Sequence, residues 1–257
     1  MGGLSLYGMR RWRWPLFLSL LLLICCGSVG GEVDGYALLK KSDDTFFMNE
    51  AKFSFHMEDY ERGAYKKYFL FDGYVKGVDR YLLVGKEPAV LRGMSHLRVE
   101  DVIYEYIKRV DRMKQVSAKV AFHNSLLTQE DVLNTKLATY YDLKEWEKAI
   151  FEGEEYYILR LQAKTKMVAY YRINIFIRPD NLLPVKREYF SYSGQKIKEM
   201  IFEKIHLNQA GKTELIKFTM YDSLREGYYT KVTISAIEYK PIPGLYFQRS
   251  YLKAITP

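Results

Sequence analysis

The chain has 257 residues, of which 48% are hydrophobic and 27% are charged, and these values suit one globular domain. Its formal net charge is +8, but basic and acidic residues are interleaved along most of the sequence instead of forming a basic stripe. This distribution, together with the lack of a recognisable nucleic-acid-binding module, excludes nucleic acid as the expected partner. The 23 Tyr and 14 Phe residues favour strands over helices.

The first thirty residues have the pattern of a secretory signal peptide. The pattern consists of a basic region, an apolar run and a small-residue end: Arg10, Arg11 and Arg13, then residues 16–26, then Ser28, Val29 and Gly30. The apolar run is too short to span a bilayer, which needs roughly 20 residues. We therefore predict a signal peptide over residues 1–30 and an exported domain over residues 31–257. Removing the first segment takes away three arginines and no acid, so the net charge falls from +8 to +5.

Both cysteines, Cys25 and Cys26, lie at the end of this apolar run, so the predicted exported domain contains no disulfide. Lipid attachment at Cys26 is an alternative that would anchor the protein to a membrane. Lipoprotein sites usually have Gly, Ala or Ser before the modified cysteine, whereas Cys25 stands there in this chain. A short N-terminal anchor and a start at Met9 are further alternatives.

Hydrophobic periodicity then gives the elements of the exported domain in chain order. Residues 34–48 predict a short amphipathic helix, and residues 117–139 predict a loop with a short helix that begins at the capping pattern Thr128 to Asp131. Alternation of apolar and polar residues predicts strands in the following ranges: 52–57, 67–75, 80–84, 102–107, 140–149, 155–163, 168–177, 184–192, 196–206, 214–222 and 229–239.

Short turn-like connections, such as the segments EGEE and RPDN, join most of these strands. Strands joined by tight turns form an antiparallel meander, and an open sheet of about ten to eleven strands tends to curl. We therefore predict a mainly β (α+β) fold with a single curved antiparallel sheet and short helices over its concave side. In the hairpin 170–190 the apolar side is expected to face the cavity, and the side with the arginines is expected to face water.

The sequence indicates no catalytic, metal or cofactor site. The four histidines His56, His96, His123 and His206 have no metal-ligand spacing. The segment GMSHL begins like a nucleophile elbow but ends in Leu97 instead of Gly. The protein is therefore expected not to be an enzyme, and a lipid hydrolase that uses Ser95 or His96 is the remaining catalytic alternative.

Two segments, RGMSHLRVED and DNLLPVKREYFSYSGQKIKE, resemble outer membrane lipoprotein-sorting proteins of the LolA-like family. The resemblance extends from about residue 45 to residue 253. The sequence departs from the family pattern at two places, both in the expected lid. The first is where Ile107 follows Tyr106, and the second is at residues 123–125. The resemblance implies an open half-barrel around an apolar cavity that is closed by helical lid segments. It also implies an arginine that gates the lid, which we cannot match to Arg80, Arg92 or Arg98.

The resemblance implies that the protein is a periplasmic carrier. It would bind acyl chains of lipoproteins or other envelope lipids and help to deliver them toward the outer membrane. Its expected partners are the acyl chains, an inner-membrane transporter and an outer-membrane acceptor, and it is expected to be a monomer without a cofactor. The alternative is a non-enzymatic sensor or partner-binding module on the same scaffold, which works with an envelope complex. The residues predicted to line the cavity are Phe53, Phe55, Met57, Phe69, Phe71, Leu159, Leu161, Ile173, Ile175, Ile216, Phe218, Val232 and Ile234.

Overall fold

The computed structural model describes residues 34–46, 48–133 and 136–257. The predicted signal peptide and the lipidation candidate Cys26 lie outside the described residues. Val33–Pro257 forms one compact unit. Within the described ranges, every helix is too short or too polar to cross a membrane.

Most of the strands, together with α1 and α2, correspond to predicted elements. The helices are α1 (Gly35–Phe46), α2 (Gln129–Val132), α3 (Leu137–Tyr140) and α4 (Leu252–Ile255), with short 3₁₀ turns at Ala89–Leu91, Lys108–Val110, Phe122–Asn124, Gly244–Phe247 and Arg249–Tyr251. The strands are β1 (Glu50–Glu61), β2 (Ala64–Lys76), β3 (Arg80–Glu87), β4 (Met94–Val99), β5 (Val102–Ile107), β6 (Arg112–Val116), β7 (Tyr141–Phe151), β8 (Glu154–Ala163), β9 (Arg172–Ile177), β10 (Pro184–Phe190), β11 (Lys196–Leu207), β12 (Thr213–Asp222) and β13 (Tyr229–Tyr239).

All of these strands form one antiparallel sheet in the order β6-β5-β4-β3-β2-β1-β13-β12-β11-β10-β9-β8-β7. The chain starts in the middle of the sheet at β1 and proceeds strand by strand to the edge strand β6. Residues 117–140, which we call the crossover segment, then carry the chain to the opposite edge at β7. From β7 the chain returns strand by strand to β13, which pairs with β1. The predicted meander is thus confirmed, with one long connection.

The sheet is strongly curved. Tyr81 on β3 and Met200 on β11 line the same small pocket, although five strand spacings separate β3 from β11 in the sheet order. On a flat sheet those spacings would place the two strands about 24 Å apart. The sheet therefore bends around its inner face, which we define as the face that carries Phe53 and Phe55.

Burial alternates along the central strands, as expected for a sheet with one covered face. Strand β1 alternates between buried and half-buried residues along nearly its whole length. Phe55 on β1 lies opposite Phe71 on β2, and their ring centroids are 6.1 Å apart. Gly73 leaves space for a neighbouring ring, because a Cβ atom at this position would lie 2.2 Å from Phe53. The ring of Phe53 can therefore lie directly against the backbone of β2.

The C-terminal segment covers part of the outer face. Ile242, Phe247 and Leu252 pack with Leu82 and Leu97 in a second apolar cluster. As a result, β3 and β4 are buried on both faces, whereas most other strands are covered on one face only.

The structure corrects the predicted number of strands, because the described part of the chain has thirteen strands and not ten to eleven. The strands absent from the prediction are β4 and β6. Ser95, His96 and Leu97 of β4 are all buried, so this strand shows no alternation of apolar and polar residues. Strand β6 lies at an edge and is mostly exposed, so it lacks an apolar face that sequence patterns could reveal.

Candidate functional site

The predicted cavity-lining residues come together on the inner face of the sheet. They share one apolar cluster with Leu38 and Leu39 of α1 and with Phe122, Leu127 and Val132 of the crossover segment. All of the predicted residues are buried within it except Ile234, which is half-buried. The prediction that short helices cover this face is confirmed, whereas contact between these residues and a lipid stays a prediction.

A pocket of about 50 Å³ remains between this face, α2 and Met48, which follows α1. Its lining residues are Met48, Phe53, Phe55, Tyr81, Asp131, Val132, Arg187, Met200, Phe202, Ile216, Phe218 and Ile234. Five of the predicted residues are among them, and the lining is mainly apolar and aromatic. Since a cavity that binds benzene has about 150 Å³, this pocket is much smaller than an acyl chain. Side chains of the crossover segment and α1 pack against the inner face around this pocket.

The pocket has a polar end that the sequence analysis missed. A second pocket of about 40 Å³ is lined by Glu130, Tyr170 and Tyr189 and shares Asp131, Arg187 and Met200 with the first. Arg187 lies on β10 opposite Met200 and therefore faces inward. For Arg187 this corrects the expectation that the arginines of hairpin 170–190 face water, whereas Arg178 is exposed. Arg187 and Tyr189 are two residues apart and therefore share one face of β10. This alternation is the sequence signal that could have placed Arg187 on the inner face.

Hydrogen bonds hold the two carboxylates of α2 in place. Asp131 Oδ2 accepts bonds from the Thr128 backbone nitrogen (2.8 Å) and from the Tyr170 hydroxyl (2.6 Å), and this arrangement confirms the predicted capping pattern. Glu130 accepts a bond of 2.6 Å from the Ala169 backbone nitrogen. Burial raises the pKa of Glu130 to about 7. The polar end can therefore exchange a proton near neutral pH.

Side chains from distant strands bind the backbone of the crossover segment. Lys67 on β2 donates a bond of 2.7 Å to the carbonyl of His123, and Lys198 on β11 donates one of 2.5 Å to the carbonyl of Leu126. The Leu126 nitrogen donates to the Thr230 hydroxyl over 3.3 Å. These bonds fasten the middle of the crossover segment across the opening of the curved sheet.

Arg98 fastens the end of the crossover segment. Its Nη2 atom donates a bond of 2.9 Å to the Tyr140 hydroxyl, and its Nη1 atom lies 3.5 Å from the Leu133 carbonyl. By contrast, Arg80 contacts Asp79 and Arg92 binds the carbonyl of Lys86 outside the crossover segment. Of Arg80, Arg92 and Arg98, Arg98 is therefore the arginine that binds the crossover segment.

A buried pair of histidines joins the crossover segment to the sheet. The Nε2 atoms of His96 on β4 and His123 lie 2.9 Å apart, and Phe71 and Phe122 surround both rings. Burial lowers the pKa of each imidazole to about 3. His123 has a φ of 50°, a backbone conformation that is uncommon outside glycine. With these lowered pKa values both rings are neutral at pH 7, and one Nε2 atom donates a hydrogen bond to the other.

The residues of the hydrolase alternative lie apart. Ser95 faces the outer side, where its hydroxyl accepts a bond of 3.0 Å from Thr256, while His96 faces inward to His123. Consecutive residues of a strand point to opposite faces, so these two side chains cannot act as a nucleophile and its base. Among the described residues, no group of three His, Cys, Asp or Glu side chains is arranged to hold a metal ion.

Comparison with solved structures shows the class of fold. The LolA superfamily protein NE2245 from Nitrosomonas europaea aligns with a TM-score of 0.76 and 19% identity over 86% of this chain and 100% of that chain. An outer membrane lipoprotein-sorting protein domain from Vibrio parahaemolyticus aligns with a TM-score of 0.69 and 16% identity, over 84% and 97%. A DUF1329 family protein from Desulfovibrio piger gives a TM-score of 0.72 and 23% identity, over 85% and 97%. The chain therefore has a LolA-like fold, as its sequence predicted.

Sequence comparison adds the family. A family model with the description "-like: Uncharacterized protein" matches residues 77–254, more than two thirds of the chain. The chain belongs to this family. Comparison with curated proteins gives no significant match.

Proposed function

We propose that the protein is an exported, periplasmic carrier that binds acyl chains of lipoproteins or other envelope lipids on the inner face of its sheet and helps to deliver them toward the outer membrane. The observation that carries this proposal is the mainly apolar pocket beneath the crossover segment. The role is non-enzymatic, and an inner-membrane transporter and an outer-membrane acceptor are the expected partners. Residues 1–30 act as the signal peptide in this proposal.

An acyl chain can enter only if the crossover segment moves, because the pocket holds about 50 Å³. Burying an acyl chain of roughly fourteen carbons contributes on the order of 10 kcal/mol before the costs of binding. The bonds from Lys67, Lys198 and Arg98 to the crossover segment are bonds to charged groups, of about 1.5–3 kcal/mol each. The acyl chain would also replace the apolar contacts that the displaced segment gives up. The free energy gained by burying the acyl chain and the free energy lost with these bonds are of similar size, which suits reversible loading.

A disulfide that locks the crossover segment tests this proposal. The only cysteines of the chain are Cys25 and Cys26, so new cysteines at Leu126 and Thr230, which are in hydrogen-bond contact, would form a defined pair. We expect the oxidised Leu126→Cys/Thr230→Cys variant to bind a fluorescent long-chain fatty acid at least about tenfold more weakly than wild type, and a reductant to restore binding. The single variants Leu126→Cys and Thr230→Cys are the matched controls. Equal binding by the locked and unlocked forms, or no binding by any form, would count against the carrier.

A second candidate is a sensor or partner-binding module on the same scaffold. The observation that favours it is the small remaining volume, because a sheet filled by its own side chains needs no lipid for stability. In that case the locked variant would retain its activity in an envelope complex. Recovery of a stoichiometric protein partner, without any bound lipid, would support this candidate over the carrier.

A further inference from the structure

The start of the crossover segment meets two neighbouring loops, and together they form a surface that we call the basic rim. It consists of residues 117–121, the β8–β9 loop at 164–171 and the β10–β11 turn at 191–195. Tyr192 joins the three parts. Its ring lies 5.8 Å from the Lys119 Nζ atom, and its hydroxyl lies 3.5 Å from the Thr165 carbonyl. The ring also packs against Tyr171, with the centroids 4.9 Å apart.

The basic rim combines positive charge with exposed apolar side chains. Lys119, Lys164 and Lys166 are exposed, and none of the three segments contains Asp or Glu. Met167 is 74% exposed and Tyr192 is 49% exposed, so two large side chains with apolar surface lie among these lysines. Val120, also 49% exposed, adds a third apolar group beside Lys119.

This combination fits the surface of an anionic bilayer. Each lysine near such a surface strengthens binding by about fivefold, so three lysines contribute about a hundredfold. Tyrosine and other side chains with an apolar body suit the boundary between head groups and acyl chains, where one end remains hydrated. A purely acidic polypeptide would pair with the lysines but would offer no apolar contacts to Met167 and Val120.

We propose that the basic rim docks the protein onto an anionic membrane surface. The proposal goes beyond lipid carriage, since it rests on charge and exposure outside the pocket and holds whatever the inner face binds. Residues 117–121 belong both to the rim and to the crossover segment. Docking therefore brings the segment that covers the pocket against the membrane.

Vesicle flotation with the purified protein tests the proposal. The probes are vesicles of phosphatidylcholine alone and vesicles that also contain phosphatidylglycerol. We expect binding to the anionic vesicles only, and a loss of at least about tenfold in the Lys119→Glu/Lys166→Glu variant. The matched control is Lys204→Glu/Lys217→Glu, which alters two exposed lysines that face each other across β11 and β12. Both variants change the net charge equally, and the control should lose less than about threefold.

A separate measurement tests whether the apolar side chains of the basic rim insert into the membrane. Relative to wild type, which contains Trp146, a Met167→Trp variant should show a blue shift of its fluorescence with anionic vesicles and none with neutral vesicles. The milder Lys119→Ala/Lys166→Ala pair should also lose binding, and circular dichroism would establish that each variant is folded. Equal losses in the rim and control variants, equal binding to neutral vesicles, or no binding to any vesicle would overturn the proposal. Full competition by soluble polyglutamate without a fluorescence shift would overturn it too and would point to an acidic polypeptide.

Discussion

Replacing the buried histidine pair should flatten the dependence of stability on pH. We consider the variant His96→Leu/His123→Asn, because Leu suits the aromatic surroundings of His96 and Asn tolerates the left-handed backbone at residue 123. Both imidazoles are neutral in the folded protein, since burial lowers their pKa to about 3. Lys67 and Lys114 also lower the pKa of His123, whereas Glu105 raises it.

The sign and size of the effect follow from proton linkage. In the unfolded chain each histidine binds a proton near pH 6.5, so below this pH the unfolded state holds more protons and folding becomes less favourable. Between pH 7.5 and pH 5.5 the loss is about 1.4 kcal/mol for each histidine, or about 2.7 kcal/mol for the pair. Glu130 has the opposite effect over this range, because its raised pKa of about 7 makes the folded state bind a proton as the pH falls. Its contribution cancels when wild type and variant are compared.

Urea denaturation of both proteins at pH 7.5 and pH 5.5 measures this difference. The variant should lose about 2–3 kcal/mol less than wild type on acidification. The matched control is His56→Gln/His206→Gln, which alters the histidines that lie near Glu58 and Glu214 at the surface and should follow the wild-type curve. Parallel pH dependences for wild type and the buried-pair variant would refute the reasoning.

Three further predictions concern the inner face. Glu130→Gln should raise the free energy of unfolding at pH 8 by about 3 kcal/mol, because it removes a buried charge, but by less than about 1 kcal/mol at pH 5, where the carboxyl group of Glu130 is already protonated in the folded protein; urea denaturation at both pH values checks this. Phe71→Ala should cost about 3–5 kcal/mol in the same assay, since the ring is fully buried against Phe55 and Phe122, and a loss below 1 kcal/mol would contradict the packing described above. Arg98→Met should speed hydrogen exchange in residues 136–140 by removing the bond to Tyr140, while the exposed control Arg92→Met should not; equal rates in both variants would show that Arg98 does not hold the crossover segment.

Local patterns in the sequence predict much of this fold. Periodicity predicts β5 with the bounds that the structure shows, and the Thr128–Asp131 pattern predicts the start of α2. These features depend on residues close together in the chain. The strand β4 could not be predicted in this way, because the C-terminal segment covers its outer face and removes the alternation.

The polar end of the pocket depends on distant parts of the chain. Arg187 lies on β10 and Tyr170 lies just before the paired strand β9, whereas Asp131 comes from α2 and reaches them because the crossover segment packs against the sheet. The predicted apolar lining was easier to recognise, because alternation assigns each of those residues to a face. The remaining volume depends on how far the crossover segment fills the curved sheet, and periodicity carries no information about that.

Mass spectrometry of the purified protein under native conditions, with bound small molecules retained, tests the central claim most directly. The account predicts a mass increment equal to a bound lipid, which extraction with organic solvent removes and identifies. It also predicts that the oxidised Leu126→Cys/Thr230→Cys variant, once stripped of lipid, does not regain this increment when lipid is added. A protein that carries no lipid and accepts none in its unlocked form would contradict the account.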